Sequence, residues 1–301
     1  MSEWSDFLER QNIDTSMQGS YATVVEDVIV ELKGEDCTKL LQGQITADVD
    51  SLNSGDFTLA ALCTNKGRVV SSFTLYRSED SYYCRLPKSN ADQLVDTLKK
   101  YAVFYKVDIA VQQDLGVLVL FDMGEPEHFP ATAAKLVHGD QLVEYWLQQS
   151  DWAAALKALA GSKRAPESRW LLAKIQMGWP DIRANTSEVF LPHALSLDLA
   201  EAISFTKGCY TGQEIVARTH YRGKSKKRLQ HFELEGAAPE SGAELQSDNG
   251  VNLGNVVISA NAGGGKSELL ASASLELPSV GEFLLDGSRI QYRTLPLPWQ
   301  D

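Results

Sequence analysis

The chain contains few cysteines and no long hydrophobic run. Its four cysteines, Cys37, Cys63, Cys84 and Cys209, are far apart, and no two of them form a Cys-x-x-Cys pair. A zinc site is therefore not indicated, and an iron–sulfur cluster held by this chain alone would need all four thiolates to converge. No window approaches the ~18 consecutive apolar residues that span a membrane, and residues 1–14 lack the pattern of a signal peptide. We expect a cytoplasmic protein with reduced thiols and no membrane segment.

Basic residues are also scarce. The 301 residues include 28 Lys and Arg against 40 Asp and Glu, which gives a net charge of -12. Because affinity for phosphate needs a positive field, this balance excludes nucleic-acid binding over the whole surface. The composition is otherwise that of a globular protein, with 44% hydrophobic and 23% charged residues. The length allows two or three domains.

The first 226 residues alternate strand-like and helix-like segments. Strands are predicted at residues 28–32, 57–63, 69–76, 82–86, 106–111 and 117–121. Helices are predicted around residues 37–43, 90–101, 132–137, 152–159 and 169–177. Asp36 is the predicted cap of the first helix, and Asn65-Lys66-Gly67 predicts a hairpin turn. A strand–helix–strand pattern that repeats about twice is typical of an α+β region with two related lobes.

The pattern changes at residue 227. Short strands are predicted at residues 228–234, 256–259, 269–274 and 288–292, separated by Gly, Asn and Pro, and no helix is indicated. This pattern favours a small β-barrel. We therefore divide the chain into an α+β region of two lobes, residues 1–226, and a C-terminal β-barrel, residues 227–301.

The most unusual segment is Lys207-Gly208-Cys209-Tyr210-Thr211-Gly212-Gln213-Glu214. Two glycines on either side of a Cys-Tyr pair predict a tight loop that presents a thiol. Residues 207–228 contain seven basic residues and one acidic residue. A positive environment favours the thiolate and raises its reactivity if the cysteine is exposed. The alternative is a small sulfur buried in a turn.

This segment, with the residues around it from 203 to 218, resembles the signature of the YgfZ family. That family is related in fold to the aminomethyltransferase (T-protein) of the glycine cleavage system. Four other segments resemble the family in the expected order, at residues 41–48, 65–68, 98–104 and 177–182. The resemblance implies an α+β fold of two ferredoxin-like lobes, as in the aminomethyltransferase, with a small C-terminal β-barrel, all arranged around a central channel.

The resemblance also implies a function. Tetrahydrofolate, or a derivative such as formyl-tetrahydrofolate, would bind in the channel, and the protein would support assembly or repair of iron–sulfur enzymes, including enzymes that thiolate tRNA. Cys209 would be the functional thiol, surrounded by Lys207, Tyr210, Gln213 and Glu214. The implied partners are folate, with or without a polyglutamate tail, and the iron–sulfur client enzymes. We expect a monomer that makes no direct contact with tRNA.

Trp170 corresponds to a tryptophan that members of the family use against folate. A pterin site needs an aromatic face and a few placed polar groups, so we expect Trp170 to line the folate cavity. The alternative is ordinary core packing, because Leu171, Leu172 and Ile175 are its neighbours. A second tryptophan of the family belongs near the first predicted strand, where this chain has Asp27. Of the two tryptophans that the resemblance implies against folate, this chain therefore has Trp170 alone.

Basic residues follow the cysteine motif at Arg218, Arg222, Lys224, Lys226, Lys227 and Arg228. These residues have three alternative interpretations. They are a solvated connector between lobe and barrel, a site for the glutamate tail of folate, or a contact for tRNA. In the second interpretation, Arg218 and Arg222 are cofactor-binding residues. The third is the least favoured, because only Tyr221 interleaves with the charges and stacking surfaces usually have several aromatic residues.

Three alternatives to the accessory role stay open. A folate-dependent one-carbon (aminomethyl) transferase follows from the fold of the related enzyme, although fold does not settle function. A thiol enzyme would use Cys209 as nucleophile with His193 or His220 as base, and we expect His220 to lie across a turn from the cysteine. The third alternative is an interaction scaffold that binds no ligand.

Overall fold

Two five-stranded sheets and a closed six-stranded barrel form the fold. The computed structural model describes residues 19–139, 142–223 and 225–299, so Lys224 lies outside the described residues. The α-helices of these residues are α1 (Cys37–Gln44), α2 (Ala91–Ala102), α3 (Trp152–Ala158), α4 (Ser168–Gln176) and α5 (Gln213–Arg222). None of these helices has the length and apolar character needed to cross a membrane.

The strands are numbered in chain order. They are β1 (Ser20–Val24), β2 (Asp27–Lys33), β3 (Phe57–Cys63), β4 (Val69–Arg77), β5 (Ser81–Pro87), β6 (Asp108–Gln112), β7 (Leu115–Phe121), β8 (Ala134–His138), β9 (Leu142–Gln148), β10 (Lys163–Arg164), β11 (Lys227–Glu235), β12 (Glu244–Gln246), β13 (Asn252–Gly263), β14 (Lys266–Ser274), β15 (Val280–Leu285) and β16 (Ser288–Leu295). The predicted combination of an α+β region and a C-terminal barrel is confirmed.

The first sheet has the strand order β3-β4-β5-β2-β6 and is antiparallel. Successive side chains of a strand point to opposite faces, yet Ile29 and Val30 of β2 are both fully buried. Val30 packs with Leu40 of α1 and Leu94 of α2, whereas Ile29 belongs to the core shared with the second sheet. The apolar run of β2 is therefore explained by burial on both faces.

The second sheet has the strand order β10-β1-β7-β9-β8. Alternate residues of β7 again serve two cores, because Val119 joins the core between the sheets and Leu118 packs with Trp152 of α3. Between the sheets, the ring of Trp146 meets the ring of Tyr76 edge-on, with centroids 5.6 Å apart. Aromatic contacts of this kind hold the two sheets face to face.

The helix predicted at residues 132–137 is wrong, because this segment contains strand β8. Ala134 pairs with Trp146 of β9, and burial alternates along the strand, with Ala134 and Leu136 buried and Lys135 exposed. Alanine and leucine favour a helix locally, but the edge of β9 supplies backbone hydrogen bonds that a six-residue helix could not match. Tertiary pairing therefore overrides the local propensity.

Other elements differ from prediction in smaller ways. The strands β1, β9, β10, β12 and β15 and the helix α5 were not predicted. Asp36 immediately precedes α1, but its side chain makes no capping bond. Its Oδ2 instead accepts the backbone N–H of Lys106 at 2.9 Å, and this bond ties the start of α1 to the segment before β6.

The barrel closes in the order β11-β14-β13-β12-β15-β16. Its centre is filled by aromatic rings, with Phe283 stacked on Tyr292 at 4.9 Å and Phe232 edge-on to Tyr292 at 5.3 Å. Helix α4 packs on β13, so one helix joins the α+β region to the barrel. Elements near α4 are therefore close to all three modules.

Candidate functional site

Cys209 is the exposed member of the four cysteines, all of which the structure describes. Burial raises the pKa of Cys37 to about 11 and of Cys63 to about 12, and it raises the pKa of Cys84 as well. A thiol needs access and thiolate character to react. Cys209 is therefore the cysteine that a partner or reagent can reach.

Lys207 connects the cysteine motif to the segment after α1. Its ammonium donates to the backbone oxygens of Ala47 at 2.7 Å and Ile45 at 2.9 Å, and to Gln42 Oε1 at 3.3 Å. These three acceptors match the three protons of an ammonium group. Burial lowers the pKa of Lys207 to about 8. The lysine positions the loop and does not contribute an exposed positive charge beside the thiol.

A second contact joins the motif to the β3–β4 hairpin. Gly212 has a φ of +84°, and a Cβ there would lie 2.6 Å from the carbonyl oxygen of Thr64. Gly67 has a φ of +68°, and its Cβ would lie 2.9 Å from the Cβ of Ile215. Both positions require glycine for conformation and for space. The segments at residues 65–68 and 207–214 therefore meet because each has a glycine at the contact.

The remaining predicted residues of the motif lie around this junction. Tyr210 is buried, with its ring centroid 5.1 Å from Lys207 Nζ, and its hydroxyl has no hydrogen-bond partner among the described residues. Burial raises the pKa of Tyr210. Gln213 is half-buried and Glu214 is exposed, both in the first turn of α5. The structure brings these residues together with Cys209, and their roles stay predictions.

The basic residues after the motif do not form one uniform patch. Arg218 and Arg222 lie one helical turn apart on α5, and both are exposed. Lys227 donates to Asn252 Oδ1 at 2.6 Å, and Arg228 pairs with Asp198. Lys226 is exposed as well, so Arg218, Arg222 and Lys226 are available to an anionic ligand.

Trp170 lies on α4, within the helix predicted there, and it is fully buried. Its indole Nε1 donates to Asp27 Oδ2 at 3.0 Å. Arg85 and Lys174 pair with the same carboxylate at 3.0 and 3.2 Å. The expectation that Trp170 directly lines a cavity is not met in this structure, because the ring has no exposed surface. Its part in folate binding stays a prediction.

Asp27 belongs to a buried charged network that the sequence reasoning missed. Arg85 Nε lies 3.0 Å from Glu144 Oε1, and Lys174 pairs with Asp181 as well as with Asp27. Burial alone would raise the pKa of Asp27, but the charges of Lys174 and Arg85 lower it below its ordinary value. The sequence feature that could have indicated this network is the presence of charged residues inside strands that are otherwise apolar.

A cavity of about 430 Å³ lies beside α4. Its lining includes Phe121, His138, Arg169, Ala173, Met177 and Pro298. The guanidinium of Arg169 lies 4.7 Å from the ring centroid of Phe121, and its buried Nε and Nη1 have no hydrogen-bond partner among the described residues. Trp170 is one layer behind this cavity, with its ring centroid 6.3 Å from that of His138. The cavity offers aromatic surface and free donors, and its α4 residues Arg169 and Ala173 were not identified as cavity residues from the sequence.

The two histidines considered as bases for Cys209 lie together elsewhere. His220 is on α5 and not across a turn, and its ring centroid is 6.1 Å from that of His193. No hydrogen bond joins either histidine to Cys209 within the described part of the chain. Because His220 is seven residues into the helix, it lies about 10 Å along the axis from Gln213.

Comparisons with known proteins identify the family. No family model matches the chain. The tRNA-modifying protein YgfZ of Yersinia pseudotuberculosis is 38% identical over 248 residues, which cover 74% of each chain. The chain belongs to the YgfZ family. The YgfZ protein of Klebsiella pneumoniae is 31% identical over 306 residues, which cover 93% of each chain.

The structural comparison agrees with membership of the YgfZ family. The glycine cleavage system aminomethyltransferase T from Bartonella henselae has a TM-score of 0.73 and covers 95% of this chain and 87% of its own. Its sequence identity is 16%, so the likeness shows the fold alone. The predicted relation between the YgfZ family and this fold is confirmed.

Proposed function

We propose that this protein is a cytoplasmic, tetrahydrofolate-binding accessory factor that supports assembly or repair of iron–sulfur enzymes, including enzymes that modify tRNA. The observation that carries the proposal is the position of Cys209, the exposed thiol on a loop held by Lys207 and Gly212. The relatives at 31–38% identity are named tRNA-modifying proteins, which supports the link to tRNA modification.

The proposed role of Cys209 is to contact an iron–sulfur client directly. An iron–sulfur cluster generally needs four protein ligands, and the other three cysteines of this chain are buried. Cys209 therefore supplies one thiolate and the client supplies the other ligands. Because the loop is anchored on both sides, the thiol is presented at a defined place at the start of α5.

The proposed folate site is the cavity beside α4. Its volume of about 430 Å³ is within the range of small-ligand pockets. The free donors of Arg169 fit the acceptor edge of a pterin or a carboxylate of the glutamate tail. Phe121 and Met177 supply apolar contact for a flat ring. Arg218 and Arg222 remain the proposed attraction for an extended polyglutamate tail.

The test is an anaerobic titration of the full chain with tetrahydrofolate and formyl-tetrahydrofolate, followed by tryptophan fluorescence. Trp170 and Trp179 are close to the cavity, with ring centroids 6.4 Å apart, so binding should change their emission. Arg169→Gln should weaken binding at least about 10-fold, since a charged partner contributes about 1.5–3 kcal/mol. The matched control is Arg289→Gln, in the barrel, which should bind like the wild type.

Each other result has a defined meaning. Absence of saturable folate binding would overturn the folate role, and binding unaffected by Arg169→Gln would place the ligand elsewhere and reject this cavity. Cells that lack the protein provide the second arm, in which Cys209→Ser should fail to restore tRNA thiolation. Restoration of glycine cleavage by the purified protein would instead favour the aminomethyltransferase alternative.

A further inference from the structure

A second cavity, of about 280 Å³, lies where the end of α5 approaches the start of the barrel. Its lining includes His193, Asp198, Thr219, His220, Ser225 and Arg228. This cavity has no part in the function proposed above. Three of its residues carry groups that bind metal ions: His193 and Asp198 lie in one turn segment, and His220 lies on α5.

The three candidate ligands are already close together. One ligand atom from each of His193, Asp198 and His220 lies within 4.8 Å of the other two, and His193 Nε2 is 4.0 Å from Asp198 Oδ2. Ligands about 2.1 Å from a tetrahedral metal are about 3.4 Å apart. Side-chain movements of about 1 Å therefore bring the three ligand atoms to the spacing that one bound metal ion requires. One of the side chains that can move is that of His220, which is exposed.

The ring nitrogens of buried His193, unpaired within the described part of the chain, indicate that this site binds a ligand. The residue is 2% exposed, and neither ring nitrogen has a hydrogen-bond partner among the described residues. A buried polar group without a partner costs about 1–3 kcal/mol.

We propose that His193, Asp198 and His220 bind one divalent transition-metal ion, with the cavity supplying space for water at the remaining positions. Two imidazoles and one carboxylate suit Zn²⁺ or Fe²⁺, whereas Mg²⁺ and Ca²⁺ prefer sets of oxygen ligands. The two histidines were considered above as bases for a thiol, and metal binding gives them a role that does not require contact with Cys209.

Neighbouring residues hold the ligands in place. Arg228 pairs with Asp198 Oδ1, which leaves Oδ2 on the side of His193. Phe205 stacks on the ring of His220 with centroids 3.8 Å apart. Outer partners that orient ligands are a regular feature of metal sites. The positive charge of Arg228 opposes a cation, so the site favours ions that bond strongly to imidazole over ions held by charge alone.

The test is a titration of the chelator-treated full chain with ZnCl₂, and with Fe²⁺ under anaerobic conditions, followed by calorimetry and metal analysis. We expect one equivalent of metal per chain for at least one of the two ions, and no competition from excess Mg²⁺. Substitution with Co²⁺ should give a visible absorption band that reports imidazole coordination. His220→Gln is the main variant, because His220 is exposed and its loss does not disturb the core.

His220→Gln and Asp198→Asn should each weaken metal binding at least about 10-fold. His128→Gln removes another exposed imidazole and should bind like the wild type. Cys209→Ser should also keep the binding, which separates this site from metal captured by the exposed thiol. The proposal is overturned if neither ion binds with defined stoichiometry, or if His220→Gln binds as tightly as the wild type in a protein whose circular dichroism is unchanged.

Discussion

The indole nitrogen of Trp170 lies 3.0 Å from a carboxylate oxygen of Asp27, although the two residues are 143 positions apart in the sequence. Asp27 lies near the start of β2, the segment where the family resemblance implies a second tryptophan and this chain has none. In this chain the indole of Trp170 therefore has a charged hydrogen-bond partner from that segment. Asp27 fixes the indole of Trp170 through this hydrogen bond, and Arg85 and Lys174 in turn pair with Asp27.

Asp27→Asn tests the buried network. The substitution leaves Arg85 and Lys174 with fewer anionic partners, and removing one member of a buried pair costs about 3–5 kcal/mol. We expect a loss of about 3 kcal/mol, at the low end, because Glu144 and Asp181 still pair with the cations. Urea unfolding at pH 7 measures it. Glu35→Gln, which removes an exposed ion pair with Lys106, should leave the stability unchanged.

The same variant gives a pH dependence with a defined sign. The folded-state pKa of Asp27 is below its ordinary value, so its contribution to stability is fully present above about pH 4, the ordinary value for an unfolded aspartate. That contribution is lost as the pH falls toward the folded-state pKa. The difference in unfolding free energy between wild type and Asp27→Asn should therefore be constant from pH 5 to 7 and shrink below pH 4. A difference that grows on acidification would contradict this account.

Gly212→Ala tests the junction between the hairpin and the cysteine loop. A Cβ at residue 212 would lie 2.6 Å from the carbonyl oxygen of Thr64, at a φ of +84° that side chains rarely adopt. We expect a loss of at least about 2 kcal/mol and faster hydrogen exchange in residues 64–67. Gly208→Ala is the matched control in the same motif, since its Cβ meets no atom within 4 Å and its φ is not positive. Equal stability of the two variants would reject the junction.

Alkylation tests the accessibility of Cys209. Native protein treated with iodoacetamide near pH 7 should lose one thiol rapidly, and peptide mapping should identify it as Cys209. Cys37, Cys63 and Cys84 are buried and should react roughly 100-fold more slowly, because each needs a local opening. Cys209→Ser should abolish the rapid phase. Modification of Cys63 at the same rate as Cys209 would show that burial does not protect it.

Polyglutamate ligands test Arg218 and Arg222. On a protein of net charge -12, an anionic tail is attracted only where positive charge is exposed. Affinity for tetrahydrofolate should rise with each added glutamate and fall as salt increases from 50 to about 300 mM. The double variant Arg218→Gln with Arg222→Gln should flatten both trends without changing the affinity for the monoglutamate. Equal binding of mono- and polyglutamates by the wild type at low salt would remove the arginines from the site.

The local sequence was sufficient to predict several features of the fold and the site. Asn65-Lys66-Gly67 predicted the β3–β4 hairpin because only a few residues accept the turn conformation, and Gly67 has a positive φ there. Closely spaced strand signals after residue 227 predicted the barrel. The cysteine motif identified the one exposed thiol, because glycines and polar residues favour a surface loop.

Only the tertiary structure decided which distant segments meet. Residues 132–137 become a strand because β9 provides an edge to pair with, which no local propensity reveals. Lys207 reaches Ala47 across 160 positions, and His193 meets His220 because α5 returns toward the loop that carries His193. Whether a lysine is a buried tether or a surface charge depends on the neighbours it acquires on folding. The sequence by itself therefore determined the family, the modules and the exposed thiol, whereas the buried network and the candidate cavities arise from long-range contacts that form only in the folded chain.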